Sequence, residues 1–436
     1  MERVLTADVR NHIGETINLR GWVHRIRGMK GFSFLILRDR AGLIQVIVDE
    51  GVRPASEIDV EAAVSVTGTV KADERAKAGA EVQAASVEIL SPALDRPPIE
   101  LNKRDHEVNA AIDVILEHRA VCLRNLRLRA PFTVQAHIVN AFRDQLWADG
   151  FIEIHTPKIV SQGTEGGTSL FRMKYFEQDA YLAQSPQFYK QMMVGSGYER
   201  VYEVGFVYRA EEHNTVRHLN EYLSLDFEMG FIDSFVDIMK QEERVIRAIL
   251  GRIADNCAEE LEMFGVSLPV IPEGGIPIVR LAEGKEAIAS KYGWQKEGGG
   301  HDLDPEGERL ISRWAADEYG SDFVFLTHYP VSVRPMYTMP DPDAPELTLS
   351  FDLLMRGTEI TTGGQRIHDY NMFVENMRRF GQDPDNYGFY LEVFKYGMPP
   401  HGGLGLGAER ITMQLLGLSN VREASLFPRD RTRVSP

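Results

Sequence analysis

The sequence predicts an α+β protein in which a small all-β domain precedes a larger domain of mixed strands and helices. Three observations predict it. Five β-type runs crowd residues 1 to about 95. The Pro-rich, polar stretch "SPALDRPPIELNKR" follows them as a linker, and beyond it runs of helical spacing mix with strands to the end. At 436 residues the chain also exceeds one ordinary hydrophobic core, so more than one domain is expected on size alone.

The five runs are "INLRGWVHRI", "GFSFLILRD", "GLIQVIVD", "AVSVTGTVKA" and "AEVQAASVEIL", with the helix-prone "PASEIDVEAA" between the third and fourth. Five strands with one helix after the third is the order of an OB-fold, a small barrel that grips oligonucleotides on one face. We assign it residues 1–100, with a hinge over 101–130 and the main domain over 131–436. In "VILEHRAVCLRNLRLRAPFTVQAHIVNAFRDQLWADG", Val134, Ile138, Phe142 and Leu146 recur every four residues and Gly150 stops the run, so a helix is expected there. Residues 234–264 also have helical character. Residues 265–320, rich in Gly and Glu with few strong signals, are expected to be a variable insertion.

A net charge of −16 argues against a protein that simply coats nucleic acid. The sign reverses locally: residues 19–40 hold Arg20, Arg25, Arg27, Lys30, Arg38 and Arg40 against the single acid Asp39. No apolar run reaches the ~20 residues of a membrane helix, so no membrane association is expected, and "MERVLTADVRNHIGE" has no secretory apolar core. Cys122 and Cys257 lack metal-type spacing. They fit buried small hydrophobes in a reducing compartment, which predicts a cytoplasmic location.

Four stretches carry chemistry. "FVYRAEEHNTVRHLNEY", residues 206–222, is a polar loop between two alternating apolar runs. It brings Arg209, His213, Arg217 and His218 beside Glu211 and Glu212, and a guanidinium at a strand end can fork onto a phosphate or carboxylate. Taken alone, it could equally be a solvated loop of surface ion pairs. "PPHGGLGLGAERITMQLLGL", residues 399–418, holds Gly403, Gly405 and Ala408 in the loose G-x-G-x-x-A spacing, with Arg410 opening an amphipathic helix. Only 436 − 408 = 28 residues follow, too few to complete a dinucleotide-binding unit. A packing turn is the alternative.

"SFDLLMRGTEITTGGQRIHDYN", residues 350–371, crowds Asp352, Glu359, Thr361, Thr362, Gln365, Arg366 and His368 around a strand and its Gly-Gly turn. Strict alternation sends Glu359 and Thr361 to one face and Thr362 to the other, unless a bulge re-aims one. Carboxylate plus hydroxyl suits a hard cation such as Mg²⁺ carrying phosphates, and Arg366 suits an acidic substrate; a polar hairpin is the alternative. In "TEGGTSLFRMKYFEQDAYLAQSPQFYKQMM", residues 164–193, Glu165 precedes a Gly-Gly turn, and Gln187 and Lys190 open a helix. A helix cap with a surface lysine would account for the same letters.

Taken together, these stretches resemble the class II aminoacyl-tRNA synthetases, and closely the archaeal-type aspartyl branch, from about residue 15 to the C-terminus. "GFIEIHTPKIV" resembles motif 1 with its proline at Pro157, which implies a homodimer. "VYRAEEHNTVRHLNE" resembles motif 2 and "GLGLGAERI" motif 3; "AQSPQFYKQ", "GGQRIH", "YGMPPHGG" and "LFPRDR" narrow the match to the aspartyl branch. The resemblance implies a catalytic domain built on an antiparallel sheet flanked by helices. It also implies activation of L-aspartate by ATP to an adenylate, then transfer to the 3′ end of tRNA(Asp), with tRNA(Asn) left open.

It implies roles by position. Arg209 would hold the ATP α-phosphate, with Glu211 and the Arg217–His218–Leu219 segment on adenine and phosphates. Arg410, beside Gly407, would sit on the γ-phosphate. Glu359 and Thr362 match the Mg²⁺ positions. Thr362 also matches a position facing aspartate, Glu165 and Gln187 face the substrate ammonium and its surroundings, and Lys190 and Arg366 hold the β-carboxylate. In the barrel, Phe34 matches a stacking aromatic and Gln45 a base-edge reader. At the positions that separate strict from relaxed tRNA choice, His24 in "GWVH" matches relaxed enzymes and Lys77 in "ERAKAGAE" strict ones; the strand position of His24 favours the relaxed reading. On this basis the two cations would select aspartate over its near-isostere asparagine, because a neutral amide leaves them without a partner. The rival readings are an asparaginyl enzyme, an asparagine synthetase built on the same fold, and a non-catalytic tRNA-binding paralogue.

Overall fold

The computed structural model describes residues 1–76, 78–102, 108–164, 170–212, 215–295 and 302–435. The chain forms two compact units, Met1–Leu126 and Arg127–Pro436. Among the described residues no helix is long and apolar enough to cross a membrane.

The first unit is a closed OB-fold barrel of five strands: β1 (Thr16–Gly28), β2 (Phe32–Arg38), β3 (Leu43–Asp49), β4 (Ala63–Ala72) and β5 (Ala80–Ser91), in the order β1-β2-β3-β5-β4. Alternation builds it: Leu19, Val23, Leu35, Leu37, Val46, Val48, Val64, Val66 and Val82 point inward and are fully buried. The helix expected over "PASEIDVEAA" shrinks to one 3-10 turn, Ala55–Glu57. An ion pair overrides the local propensity. Glu61 takes a left-handed conformation (φ 70°), its N–H bonds Val23 O, and its carboxylate grips the buried Arg38 guanidinium at 2.9 and 2.6 Å. The basic strip of residues 19–40 therefore loses Arg38 to the interior and keeps Arg20, Arg25, Arg27, Lys30 and Arg40 exposed.

Helices α1 (Ile112–Glu117) and α2 (Arg119–Cys122) close the first unit, and α3 (Leu126–Ala148) opens the second. There follow β6 (Ile152–Glu153), β7 (Ile159–Val160), β8 (Arg172–Tyr175), β9 (Gln178–Leu182), α4 (Gln187–Met193), β10 (Arg200–Tyr208) and β11 (Glu221–Gly230). Then come α5 (Val236–Asn256), α6 (Ala258–Phe264), β12 (Ile278–Arg280), α7 (Leu281–Tyr292), α8 (Pro305–Tyr319) and β13 (Phe323–Thr327). The chain ends with β14 (Ser350–Met355), β15 (Thr358–Arg366), α9 (Tyr370–Arg379), α10 (Gly388–Leu391), β16 (His401–Gly407) and α11 (Ala408–Leu416).

The central sheet has eight strands in the order β12-β13-β14-β15-β16-β11-β10-β6. Its six inner strands are antiparallel; only the short edge strands β12 and β6 pair in parallel, with β13 and β10. A separate small sheet, β7-β9-β8, stands apart in pairing. One face of the large sheet is the core: Val134, Ile138, Phe142 and Leu146 of α3 and Ile246, Ile249 and Ile253 of α5 pack on Leu225, Phe227, Phe351 and Leu404. Residues 265–320, featureless as sequence, supply β12 to the sheet edge and pack α7 and α8 on β13 and β14 through Ile288, Ile311, Ala315, Val324 and Leu354.

One acid lies within this core. Glu242 of α5 is 1% exposed against Thr361 of β15 and Asp352 of β14. Burial, with the nearby Asp352, pushes its carboxyl up from 4.5 to about 8, against the opposing pull of Thr361. The folded chain thus keeps a proton that an unfolded chain releases. Stability should fall as pH rises from about 4.5 to about 8 and level off above that. In Glu242→Gln that loss disappears, so thermal unfolding midpoints of variant and wild type should diverge steadily across this window. Parallel curves would contradict the assignment.

Candidate active site

The polar face of the sheet carries a cavity of about 310 Å³, the size of a small-molecule site. Its floor is β11, β15 and β16. On β11 the side chains alternate: Leu225, Phe227 and Met229 enter the core, while Ser224, Asp226 and Glu228 turn to the other face. Helix α4 brings Lys190 and Gln187 over them. The Lys190 ammonium, 2% exposed, donates to Asp226 Oδ1 (3.0 Å) and Leu404 O (2.8 Å) and lies 3.3 Å from Glu228 Oε2. From β15, Arg366 donates through Nε to Glu228 Oε1 (2.9 Å) and through Nη2 to Gly403 O (2.9 Å) and Gln187 Oε1 (3.4 Å). Burial alone would push the Glu228 carboxyl up; Arg366 and Lys190, with His401, overcome it and hold it below the usual range.

The glycines of β16 make room for this cluster. A Cβ on Gly403 would sit 2.3 Å from Glu228 Oε2 and 2.1 Å from Phe227 O. Close approach of backbone to a buried carboxylate explains Gly403, and a Cβ on the neighbouring Gly402 would instead meet Ile238 and Gly364 O at 2.2 and 2.6 Å.

The second half of the cavity is cationic. β10 and β11 form a hairpin closing at Tyr208↔Glu221, and Arg209 stands one residue past β10 with its guanidinium 5.7 Å from the Tyr222 ring centre. The loop that follows is tied down from several sides. Asn220 donates to Arg209 O (2.7 Å) and Glu211 O (3.2 Å), Arg422 to Thr215 O (3.2 Å), and Arg431 to Glu212 O (3.0 Å). Arg217 pairs with Glu308 of α8 at 3.0 Å. Arg410, on the first turn of α11, donates to Glu359 O (3.2 Å) and Oε1 (3.4 Å).

Strict alternation fails here, because β15 carries a bulge. Pairing shifts between Leu353↔Thr361 and Leu354↔Glu359, leaving Ile360 as the extra residue. It turns Glu359 and Thr362 together, with Thr362 Oγ1 donating to Glu359 Oε1 at 3.1 Å. Burial and the neighbouring Asp352 push the Glu359 carboxyl up to about 7, and Arg410 pulls the other way. Glu308, which accepts from Glu359 N (3.3 Å), is also raised by burial and eased by Arg217.

A two-stranded hairpin with a guanidinium at its loop, paired with a glycine-rich strand whose following helix carries another, beside a buried acid–base cluster, is the arrangement expected of motifs 2 and 3. The family "tRNA synthetases class II (D, K and N)" matches residues 111–431, and "OB-fold nucleic acid binding domain" matches 17–90. The chain belongs to the class II tRNA synthetases. It is 48% identical over its whole length to the aspartate–tRNA(Asp/Asn) ligase of Deinococcus radiodurans, covering 99% of that protein. It is 41% identical over 97% of both chains to the aspartate–tRNA(Asp) ligase of Pyrococcus abyssi. Among solved structures, the asparaginyl-tRNA synthetase of Pyrococcus horikoshii bound to asparaginyl-adenylate matches with a TM-score of 0.91 at 31% identity, over all of both chains.

Arg209, Glu211, Arg217, His218, Leu219, Glu359, Thr362, Gly407 and Arg410, together with Gln187, Lys190 and Arg366, all line this one cavity of the class II domain. Glu165 and Lys77 lie outside the described residues, as does His213. In the barrel, cross-strand pairing puts Arg27, Phe34 and Ile47 in one row and Arg25, Ile36 and Gln45 in the next. Phe34 and Gln45 are half-buried there, with Gln45 donating to Glu81. His24 does not join them. It is the bulged residue of β1, 6% exposed, with its ring on Arg38 at 3.0 Å. His24 lies on the strand expected, and its side chain is buried behind the Arg38–Glu61 pair.

As sequence, Lys190 and Arg366 have no evident partner but a substrate; the structure supplies two, Asp226 and Glu228. The signal for them was present: three polar residues at i, i+2 and i+4 in the otherwise apolar "LSLDFEM". Glu308 and the C-terminal arginines left no such signal, because they reach the site only through tertiary folding. Glu228→Gln removes the carboxylate that pairs with Arg366 and that Lys190 contacts along with Asp226. Removing one partner of a buried pair costs about 3–5 kcal/mol, so the variant should lose stability on that scale in chemical denaturation. An unchanged denaturation midpoint would show that the cluster is not electrostatically coupled.

Proposed function

We propose that this chain is an aspartate–tRNA ligase that activates L-aspartate with ATP and charges both tRNA(Asp) and tRNA(Asn), acting as a homodimer. The observation that carries the reading is the end wall of the cavity, where Lys190 and Arg366 are held rigidly by acceptors behind them. Both side chains are donors only. An incoming β-carboxylate offers acceptors only and can satisfy both. A carboxamide must turn its NH₂ toward one donor, and rotating it only exchanges which donor is opposed. Selection therefore rests on donor geometry rather than on unpaired charge, since Asp226 and Glu228 already balance the cations. Sites of this kind reject the analogue by ~10⁴-fold or more.

At the other end, Arg209, Arg217 and Arg410 suit a triphosphate. The aspartate α-carboxylate oxygen attacks the α-phosphorus, the bond to the bridging oxygen breaks, and pyrophosphate leaves with the electron pair. Arg209 is positioned to hold the α-phosphate as negative charge builds there. The terminal ribose hydroxyl of tRNA then attacks the adenylate carbonyl and AMP departs. No protein nucleophile is needed; positioning and fixed charge suffice. The donor set of Glu359, Thr362 and the adjacent Glu308 fits Mg²⁺, which takes one or two carboxylates along with phosphate oxygens. Glu359 and Thr362 would hold the ion, which supplies positive charge to the phosphates when bound.

In the barrel, the rows Arg27–Phe34–Ile47 and Arg25–Ile36–Gln45 suit splayed anticodon bases, an aromatic for stacking and arginines for the backbone. Support for the relaxed tRNA choice comes from the 48% identity to ligases named for both tRNAs in Deinococcus radiodurans and Thermus thermophilus. The motif 1 segment supports the dimer: Ile152, Pro157 and Ile159 are exposed there.

ATP–pyrophosphate exchange tests the central assignment. The wild type should exchange with aspartate and not asparagine, and Arg366→Ala should lose exchange by about 10³-fold or more while still binding ATP. Near-normal exchange by the variant would refute it. Charging purified tRNA(Asp) and tRNA(Asn) side by side tests the breadth: both should accept aspartate, and acceptance by tRNA(Asp) alone would overturn that part.

A further inference from the structure

Behind Gln187 runs a chain of buried hydrogen bonds that the proposed chemistry does not use. It starts at a group that can only accept. Pro399 O lies 2.9 Å from His401 Nδ1, so that nitrogen must carry the proton. His401 is fully buried, and burial pushes its ring down to about 4; Arg366 and His368 add to this, while Glu228 and the Pro399 carbonyl oppose it. The ring is therefore neutral and Nε2 is a bare acceptor. Gln191 Nε2 stands 2.7 Å from it and must donate. That turns Gln191 Oε1 the other way, where it accepts from Tyr390 OH (2.7 Å) and Gln187 Nε2 (2.9 Å). Gln187 in turn has its Oε1 on Arg366 Nη2 (3.4 Å) and its Nε2 toward Glu228 Oε1 (3.4 Å). The chain ends on a guanidinium, which can only donate.

Both ends have fixed polarity, so every link between them has one allowed direction. Reversing Gln191 would set its oxygen against the bare Nε2 of His401, and reversing Gln187 would set oxygen against oxygen at Gln191 and N–H against N–H at Arg366. We propose that His401 is a positioning residue for amino-acid recognition: through Gln191 it fixes the amide orientation of Gln187 and so the donor geometry Arg366 presents to the substrate. Nothing in the chain reaches the triphosphate side, so its influence is confined to the amino-acid half of the cavity. This rests on reading that half as an aspartate site.

The test is steady-state exchange kinetics on the full-length chain with His401→Leu and His401→Gln. The Leu variant removes the acceptor at Nε2 and frees the Gln191 amide to turn. Its KM for aspartate should rise roughly tenfold or more, the scale of one unsatisfied buried hydrogen bond, with KM for ATP unchanged. The Gln variant keeps an acceptor near the Nε2 position and should recover most of that loss. If His401→Leu fails to fold, Gln191→Leu cuts the chain one link nearer the pocket and should give the same split. Both KM values rising together, or a fall in kcat alone, would mark a merely structural role and overturn the proposal. So would a folded Leu variant with an ordinary aspartate KM. A wild type without aspartate-dependent exchange would instead refute the reading of the site.

Discussion

Four buried charges set the terms for the catalytic unit: Lys190, Arg366, Asp226 and Glu228, with exposures of 7% or less. Taking any of them out of water alone would cost several kcal/mol, so they are stable only as a set. They come from α4, β15 and β11, and carbonyls of β16 complete the shell. The cluster therefore dictates where a helix and three strands must lie. It also explains the glycine at 403, since a side chain there would occupy the space of Glu228 Oε2. The cost of a fully ionic interior is offset by what it supplies, donors that cannot swing away from a substrate.

The remainder of the site follows from that fixed floor. One hairpin, β10–β11, carries both the buried acids and, at its loop end, Arg209. Holding the acids in register thus holds the phosphate-side guanidinium in register too. The loop beyond Arg209 is laced to the C-terminal segment by Arg422 and Arg431. Glu409, buried and pushed up to about 7 by that burial, takes the Leu223 N–H and ties α11 to β11 beside Arg410. The buried acid–base cluster and the guanidinium cluster are in this sense two ends of one hydrogen-bonded sheet, which suits a reaction that needs placement more than it needs a nucleophile.

What the sequence revealed tracks how local the physics was. The barrel was legible because β2 and β3 alternate clearly and its core is mostly Val, Ile and Leu. The long helix was legible from Val134, Ile138, Phe142 and Leu146. The bulge near Thr361 was visible only as a condition, since the sequence left open whether Glu359 and Thr362 share a face. The misses are all tertiary. Arg38 is a surface residue by type and becomes core only because Glu61 reaches it from a left-handed turn. His24 follows it inward. The three-residue β12 is too short to show a period, and only the sheet edge makes it a strand. Glu308 becomes a site residue because α8 is docked there, with Asp304 capping its first turn.

The account turns on the end wall of the cavity accepting a carboxylate and refusing a carboxamide. Calorimetric titration of the wild-type chain with L-aspartate and with L-asparagine, each beside a non-hydrolysable ATP analogue, measures that directly. The donor geometry predicts aspartate binding tighter by at least about 100-fold. Equal affinities for the two amino acids would contradict it, whatever the enzyme then did with tRNA.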